Sequence, residues 1–221
     1  VASVAHEVRN PLQSIGMGVE LLRLGMQVND TTREVLEEID QGVATLNRIV
    51  QELLDYARPV QLQYRSWNVG DVVQQALKAA SKRIRNVTVE LDLHNENQKI
   101  CVDGEMMKMA LVNLFANAAD AMADRGVLRI SSSPEDKGQQ NFLSLTITDT
   151  GCGIEPERLQ YIHEPFFTTK RQGTGLGISI ANKIVQAHGG EITFTSEVGK
   201  GTTVRIKLPA KPAEQKEREA G

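Results

Sequence analysis

A histidine in a helix-like stretch precedes four short blocks whose residue types suit the chemistry of a triphosphate. The stretch is H-E-V-R-N-P at 6–11; after it come N-L-F-A-N-A-A at 113–119, D-T-G-C-G at 149–153, E-P-F-F-T-T-K at 164–170 and G-T-G-L-G at 173–177. An imidazole with one unprotonated nitrogen attacks a phosphoanhydride best when a base holds its other nitrogen, and Glu7 stands next to His6 to do this. On a helix Asn10 lies one turn beyond His6, where its amide can orient a water or an incoming group. Pro11 removes one backbone hydrogen bond and should bend or loosen the helix there. A lone His-Glu pair is ordinarily surface decoration on an amphipathic helix. The ordered blocks downstream are what give it a phosphoryl donor.

Those blocks divide the work of holding a nucleotide. Asn113 and Asn117 fall one turn apart, with Leu111, Leu114 and Ala118 facing inward, so paired carboxamides can offer oxygen to a hard divalent cation such as magnesium. Asp149 ends an alternating strand and can accept from the exocyclic amine of adenine, while Gly151 and Gly153 let backbone approach the base. In the last block, Gly173, Thr174, Gly175, Leu176 and Gly177 precede a helix, so their amides and the helix N-terminus can cradle anionic oxygens. Lys170 and Arg171 can meet the terminal phosphates. Taken singly, these features read as a capped helix, a tight turn and a flexible loop. The glycine loop also lacks the lysine-hydroxyl pair of a P-loop and the strand-first setting of a dinucleotide fold.

Two kinds of element must position these groups. Val1, Val8, Ile15 and Leu22 recur every seven residues beside a parallel row of Ala5, Leu12, Val19 and Met26. A polar turn at 27–32 leads, through capping-box spacing of Thr31 and Glu34, to a second helix with Leu36, Ile39, Val43, Leu46, Ile49 or Val50, Leu53 and Ala57, ended by Pro59. One hairpin buries two such stripes poorly, so a four-helix bundle built by two chains, a homodimer, is expected. A linker at 59–67 separates this hairpin (1–58) from a domain at 68–209. In that domain helices are predicted at 69–82, 104–123 and 175–188, with strands at 87–93, 99–102, 127–133, 142–149, 190–196 and 202–208. This is an α+β pattern: one mixed sheet covered by helices. The Lys-, Glu- and Pro-rich tail at 210–221 is expected to be disordered.

Composition narrows the function classes. A net charge of −3 without a basic run gives no footprint for nucleic acid or an anionic membrane. Cys101 and Cys152 are too isolated for a disulfide framework or thiolate metal site and read as free thiols in a reducing cytoplasm. No apolar run could span a bilayer. Because the chain opens at Val1 inside a helical pattern, it is expected to be the cytoplasmic part of a longer protein whose membrane anchor, if any, lies upstream.

With their flanking residues, H-E-V-R-N-P-L, N-L-F-A-N-A-A-D-A, D-T-G-C-G-I, E-P-F-F-T-T-K and G-T-G-L-G-I resemble the H, N, D-G, F and glycine-rich boxes of bacterial two-component sensor histidine kinases. The opening is most similar to the nitrogen-regulation sensor type. The resemblance implies a dimerisation and histidine-phosphotransfer hairpin followed by a Bergerat-type ATP-binding domain. It implies ATP-dependent phosphorylation of His6 and transfer to an aspartate of a response-regulator receiver domain, with phosphatase action on that regulator also within the family's range. By the same resemblance Glu7 is the general base, Asn10 assists transfer or phosphatase chemistry, and Asn117 is the main magnesium ligand. Asp149 binds adenine beside Thr202, and a short mobile lid runs from Glu155 to Thr174. Two positions depart from the pattern: His163 stands where the family usually has Phe and reads as a packed histidine, and Asp120 and Ala121 replace a basic or aromatic residue. ATPases of the same nucleotide fold place a glutamate at the position of Asn113 to activate water, which an amide cannot do. Mitochondrial-type protein kinases fit the R-N-P-L-Q helix poorly, and a non-catalytic dimeric scaffold would be expected to have lost His6, Glu7, Asn117 or Asp149.

Overall fold

The computed structural model describes residues 2–25, 30–93, 99–123, 125–137, 140–170 and 173–210, with the side chains of 2–9, 25, 136, 137 and 140 outside the description. The chain forms two compact units, Val1–Pro59 with Thr168–Leu176 and Val60–Phe167 with Gly177–Gly221, each described here by itself.

In the first unit α1 (Ala2–Gly25) and α2 (Asp30–Ala57) form the helical pair that the seven-residue repeat predicts. Leu12 and Val19 of α1 and Leu36 of α2 are buried, and Arg23 pairs with Asp40 at 2.7 Å. Pro11 does not end α1, and the Ser14 hydroxyl donates to the Asn10 carbonyl at 3.2 Å. α2 begins at Asp30, so Thr31 and Glu34 sit inside its first turn; residues 30–32 of the predicted polar turn are thus helical, and 27–29 lie outside the described residues. Much of the apolar stripe stays open to solvent in a single chain: Ile15, Leu22, Ile39, Leu46, Ile49 and Leu53 are 38–48% exposed. In the same unit the Thr174 hydroxyl donates to the Glu52 carboxylate, which pairs with Arg48 at 3.1 Å.

The second unit runs β1 (Arg65–Asn68), α3 (Val69–Ala80), β2 (Val87–Leu93), β3 (Lys99–Val102), α4 (Gly104–Ala121), β4 (Gly126–Lys137), β5 (Gln140–Asp149), α5 (Pro156–Leu159), α6 (Gly177–Ala187), β6 (Glu191–Glu197) and β7 (Gly201–Pro209). Five strands form a mixed sheet in the order β2-β4-β5-β7-β6, with β2 and β4 parallel and the other neighbours antiparallel. The single sheet expected from the sequence is corrected in one respect: β3 leaves it and pairs with β1 as a separate antiparallel ribbon. β1 lies in the stretch read as linker, where four residues are too few for a periodic signal. β4 runs past its predicted end at Ser133, because pairing with β5 continues through Pro134↔Leu143 to Lys137↔Gln140. Among the described residues β2 pairs with β4 as far as Ser132, and Pro134, beyond that register, has no N–H to give to a ladder.

Leu143, Leu145 and Ile147 of β5 are buried, as their alternation predicts, together with Leu128 and Ile130 of β4 and Ile206 and Leu208 of β7. α4 packs against α3, α6, β4 and β5, and its Met107, Leu111 and Phe115 are almost fully buried. Asp103 caps α4 by accepting from the Met106 N–H at 3.1 Å. With its inner face committed to the core, α4 has fixed rotation and register, which is what a ligand-holding helix needs.

Candidate functional site

The tightest part of the site is the corner where β5 ends and the β6–β7 turn folds over it. Asp149 and Thr202 are direct partners across β5 and β7. Asp149 is 5% exposed, and its Oδ1 accepts from the Gly151 N–H at 2.8 Å and the Thr202 N–H at 3.2 Å. Among the described residues nothing donates to Oδ2, which leaves that oxygen for a donor on a ligand. Burial pushes the Asp149 carboxyl above the usual carboxylate range, and the Gly151 and Thr202 amides pull it partly back.

Backbone closeness explains the glycines of this corner. A Cβ at Gly151 would lie 2.8 Å from the Ala121 backbone at the end of α4; one at Gly153, at φ +72°, would lie 2.2 Å from the Glu197 carbonyl oxygen. The neighbouring peptides are bonded across the same gaps: Cys152 N–H donates to the Ala121 carbonyl at 3.0 Å, and Gly199 N–H donates to the Cys152 carbonyl at 2.8 Å. The D-T-G-C-G segment is therefore held between α4 and the β6–β7 turn. Its shape is set by the chain's own contacts, which would lower the ordering cost of binding a ligand there.

The other group of candidates sits on α4 opposite the start of α6. Asn113 and Asn117 are both half-buried, and a Cβ at Gly177 would stand 3.4 Å from Asn113 Oδ1 and 3.5 Å from Asn117 Nδ2. Asn113 donates its amide to the Met109 carbonyl at 3.1 Å, which fixes the orientation of its oxygen. Glycine at 177 thus lets the first turn of α6 come up to the carboxamides. An α-helix N-terminus beside carboxamides suits anionic oxygens with a hard cation among them. Among the described residues no set of three or more His, Cys, Asp or Glu side chains could hold a metal by itself, so a cation here would depend on amide, phosphate and water oxygens.

The second unit therefore brings together Asn113, Asn117 and Gly177, and Asp149, Gly151, Gly153 and Thr202. Lys170, Gly173, Thr174, Gly175 and Leu176 group with the helical hairpin in the first unit. There the Gly173 N–H donates to the Lys170 carbonyl at 3.2 Å, and Lys170 is exposed. Arg171 lies outside the described residues, as do the side chains of His6 and Glu7, whose backbone belongs to α1; Asn10 is exposed on that helix. His163 packs edge-on against Phe194 with ring centroids 5.2 Å apart, as a histidine in a core-facing Phe position would.

Sequence reasoning missed several residues that shape this site. Ser196 accepts from the Ile154 N–H at 2.8 Å, yet a serine in an alternating strand carries no motif. At Gly201, φ is +117° and a Cβ would lie 1.9 Å from the Asp149 carbonyl oxygen, so only glycine fits. His188 is buried; its Nε2 accepts from the Asp103 N–H at 3.0 Å and its Nδ1 lies 2.8 Å from the Ile184 carbonyl. Asp103 could have been found from an Asp standing just before a predicted helix.

Residues 1–61 match the family described as His Kinase A (phospho-acceptor) domain, and residues 102–212 match Histidine kinase-, DNA gyrase B-, and HSP90-like ATPase. The signal transduction histidine-protein kinase AtoS of Escherichia coli K12 is 36% identical over 96% of this chain and 34% of its own length. The sensor histidine kinase ZraS of the same organism is 33% identical over 94% of this chain and 44% of its own length. The chain thus spans 34% and 44% of the lengths of these two curated relatives. Among solved structures, histidine kinase ThkA in complex with response regulator protein TrrA aligns with TM-score 0.68 at 27% identity, over 95% of this chain and 60% of that one. Full-length ShkA in complex with AMPPNP aligns with TM-score 0.78 over 96% of this chain and 46% of that one, a likeness of fold alone at 23% identity. The chain belongs to the bacterial two-component sensor histidine kinases and comprises the catalytic core of that family, a phospho-acceptor hairpin followed by an ATP-binding domain. No helix among the described residues is long and apolar enough to cross a membrane.

Proposed function

We propose that this core phosphorylates His6 from ATP and passes the phosphoryl group to an aspartate of a response-regulator receiver domain. An imidazole nitrogen of His6 attacks the γ-phosphorus, an N–P bond forms, the P–O bond to ADP breaks, and Glu7 takes the imidazole proton. Asn10 orients the incoming carboxylate during transfer, or a water when the same surface strips phosphate from the regulator. In the ATP domain Asp149, with Gly151, Gly153 and Thr202, takes the adenine. Asn113, Gly177 and the loop Gly173, Thr174, Gly175 and Leu176, with Lys170 and Arg171, take the phosphates. Asn117 would hold a magnesium ion, which when bound neutralises charge on the phosphate oxygens. Transfer of this kind rests mostly on positioning and charge stabilisation, so bringing the γ-phosphate to His6 is expected to limit the rate.

The observation that carries the reading is Asn113. Its amide donates to the Met109 carbonyl and offers only a neutral oxygen beside Gly177, where a hydrolytic relative would need a carboxylate. Water is then poorly activated, and the histidine on α1 is the nucleophile left to accept. The half-open apolar stripe on α1 and α2 supports a second copy of the chain as the partner that covers it. The fragment is proposed to work in the cytoplasm, residues 1–58 as the acceptor hairpin and 68–209 as the ATP domain.

The test is incubation with γ-labelled ATP and magnesium. The parent chain should acquire an acid-labile, base-stable label that His6→Gln and Asn117→Ala each abolish. Label retained by His6→Gln refutes the acceptor assignment. Mixing the two variants should restore label if one subunit of a dimer serves its neighbour.

A further inference from the structure

Three polar groups meet at Ser196, a residue outside the recognised blocks, and proton counting there bears on what the nucleotide pocket can recognise. The Ser196 Oγ receives the Ile154 N–H at 2.8 Å, lies 2.9 Å from the Gly201 carbonyl oxygen and 2.9 Å from the Thr202 Oγ1. A serine hydroxyl has one proton and two lone pairs. A carbonyl oxygen only accepts, so the bond to Gly201 uses the serine proton. The Thr202 hydroxyl must then donate to Ser196, whose second lone pair it fills. With all three contacts made, only this arrangement of protons is allowed, and the Thr202 Oγ1 has no proton left to donate elsewhere.

From this network we infer that Ser196 is a specificity-determining positioning residue for the base. Resting on the proposal that this corner holds adenine, the inference is that Ser196 turns Thr202 into a fixed acceptor. Asp149 spends Oδ1 on the Gly151 and Thr202 amides and keeps Oδ2 as a second acceptor. The Asp149 and Thr202 side chains therefore present two acceptors and no donor. An exocyclic amine at C6 of a purine can be satisfied by such a wall, whereas a 6-oxo group finds nothing to donate to it and is buried unpaired. Sites that discriminate in this way owe their selectivity to the group left unsatisfied. Without the Ser196 hydroxyl, Thr202 would be free to rotate and donate, and a 6-oxo purine would gain a partner. Ser196 itself need not touch the base.

The inference is tested by calorimetric affinities for ATP and inosine triphosphate, which differ at C6, with magnesium present. The parent should favour ATP, and Ser196→Ala should reduce the ATP-to-ITP affinity ratio by roughly five- to tenfold, the worth of one hydrogen bond. Ser196→Thr, which keeps the hydroxyl on a strand, should restore the ratio. A merely structural role would weaken both nucleotides alike and leave the ratio unchanged, which would overturn the inference. If Ser196→Ala does not fold, Thr202→Val in the parent retains the backbone N–H to Asp149 while removing the fixed acceptor; an unchanged ratio there overturns it equally. A parent chain that binds neither nucleotide removes the adenine reading itself, a different failure from a parent that prefers ATP regardless of residue 196.

Discussion

Asp149→Asn separates what the buried carboxylate does for the nucleotide from what it does for the fold. An asparagine carbonyl oxygen can take over both internal bonds of Oδ1, from the Gly151 N–H at 2.8 Å and the Thr202 N–H at 3.2 Å. Its amide nitrogen then replaces Oδ2, so a donor faces the adenine amine. Losing a hydrogen bond to a charged acceptor costs about 1.5–3 kcal/mol, and leaving opposed donors unsatisfied adds about 1–3 kcal/mol. Together these predict that ATP affinity falls roughly a hundredfold to ten-thousandfold. Stability should move the other way or not at all. Burial holds the Asp149 carboxyl above its usual range, so the folded chain binds this proton more tightly than the unfolded chain. The ionised group therefore costs stability at neutral pH, a cost relieved on acidification, and a neutral asparagine never incurs it. Titration calorimetry with ATP and a melting scan without nucleotide measure the two effects. In the parent, ATP affinity should decline as pH falls through a carboxyl value above the ordinary ~3.9. Affinity within about threefold of the parent, or a variant that melts several degrees lower without nucleotide, would refute the reasoning.

Two other substitutions probe the frame around the pocket. Gly201→Ala places a methyl against the Asp149 carbonyl at a positive φ; strain of about 1–3 kcal/mol and overpacking of about 1–3 kcal/mol should lower the melting temperature and abolish ATP binding. Gly199→Asn, also at positive φ but with open space around it, should change either measurement little. Burial depresses the His188 imidazole against the Ile184 carbonyl and the Asp103 carboxylate, which both raise it. As pH falls the unfolded chain takes this proton first, so the contribution is complete above the ordinary ~6.5 and is lost progressively below it. Melting temperatures between pH 7.5 and 5.5 should fall in the parent and fall less steeply in His188→Gln.

The sequence was most legible where a period or a close-set motif repeats one physical demand. The seven-residue rows gave α1, the apolar stripe from Leu36 to Leu53 gave α2, and the alternation of Leu143, Leu145 and Ile147 gave β5. Asp149, Gly151 and Thr202 were identified as a group and are joined by hydrogen bonds around one carboxylate oxygen. What stayed hidden depends on partners far away in sequence. β1 is a strand only because β3 lies beside it, and Ser196 matters only because residues 154, 201 and 202 converge on its hydroxyl. The buried His188 carries no local sign at all, since the amide that it accepts from lies 85 positions away.

The way the chain enters the ATP domain has a mechanical consequence. The Gln63 N–H donates to Asp103 Oδ2 at 2.9 Å, and the Tyr64 hydroxyl reaches the Ala187 carbonyl at 3.5 Å while its ring stands edge-on to His188. Two consecutive residues are thereby stitched to the head of α4 and the tail of α6. Those helices bear the Asn113 and Asn117 carboxamides and, facing them, the first turn of α6 at Gly177. Within this unit, a pull on Gln63 and Tyr64 is therefore felt by both helices at once.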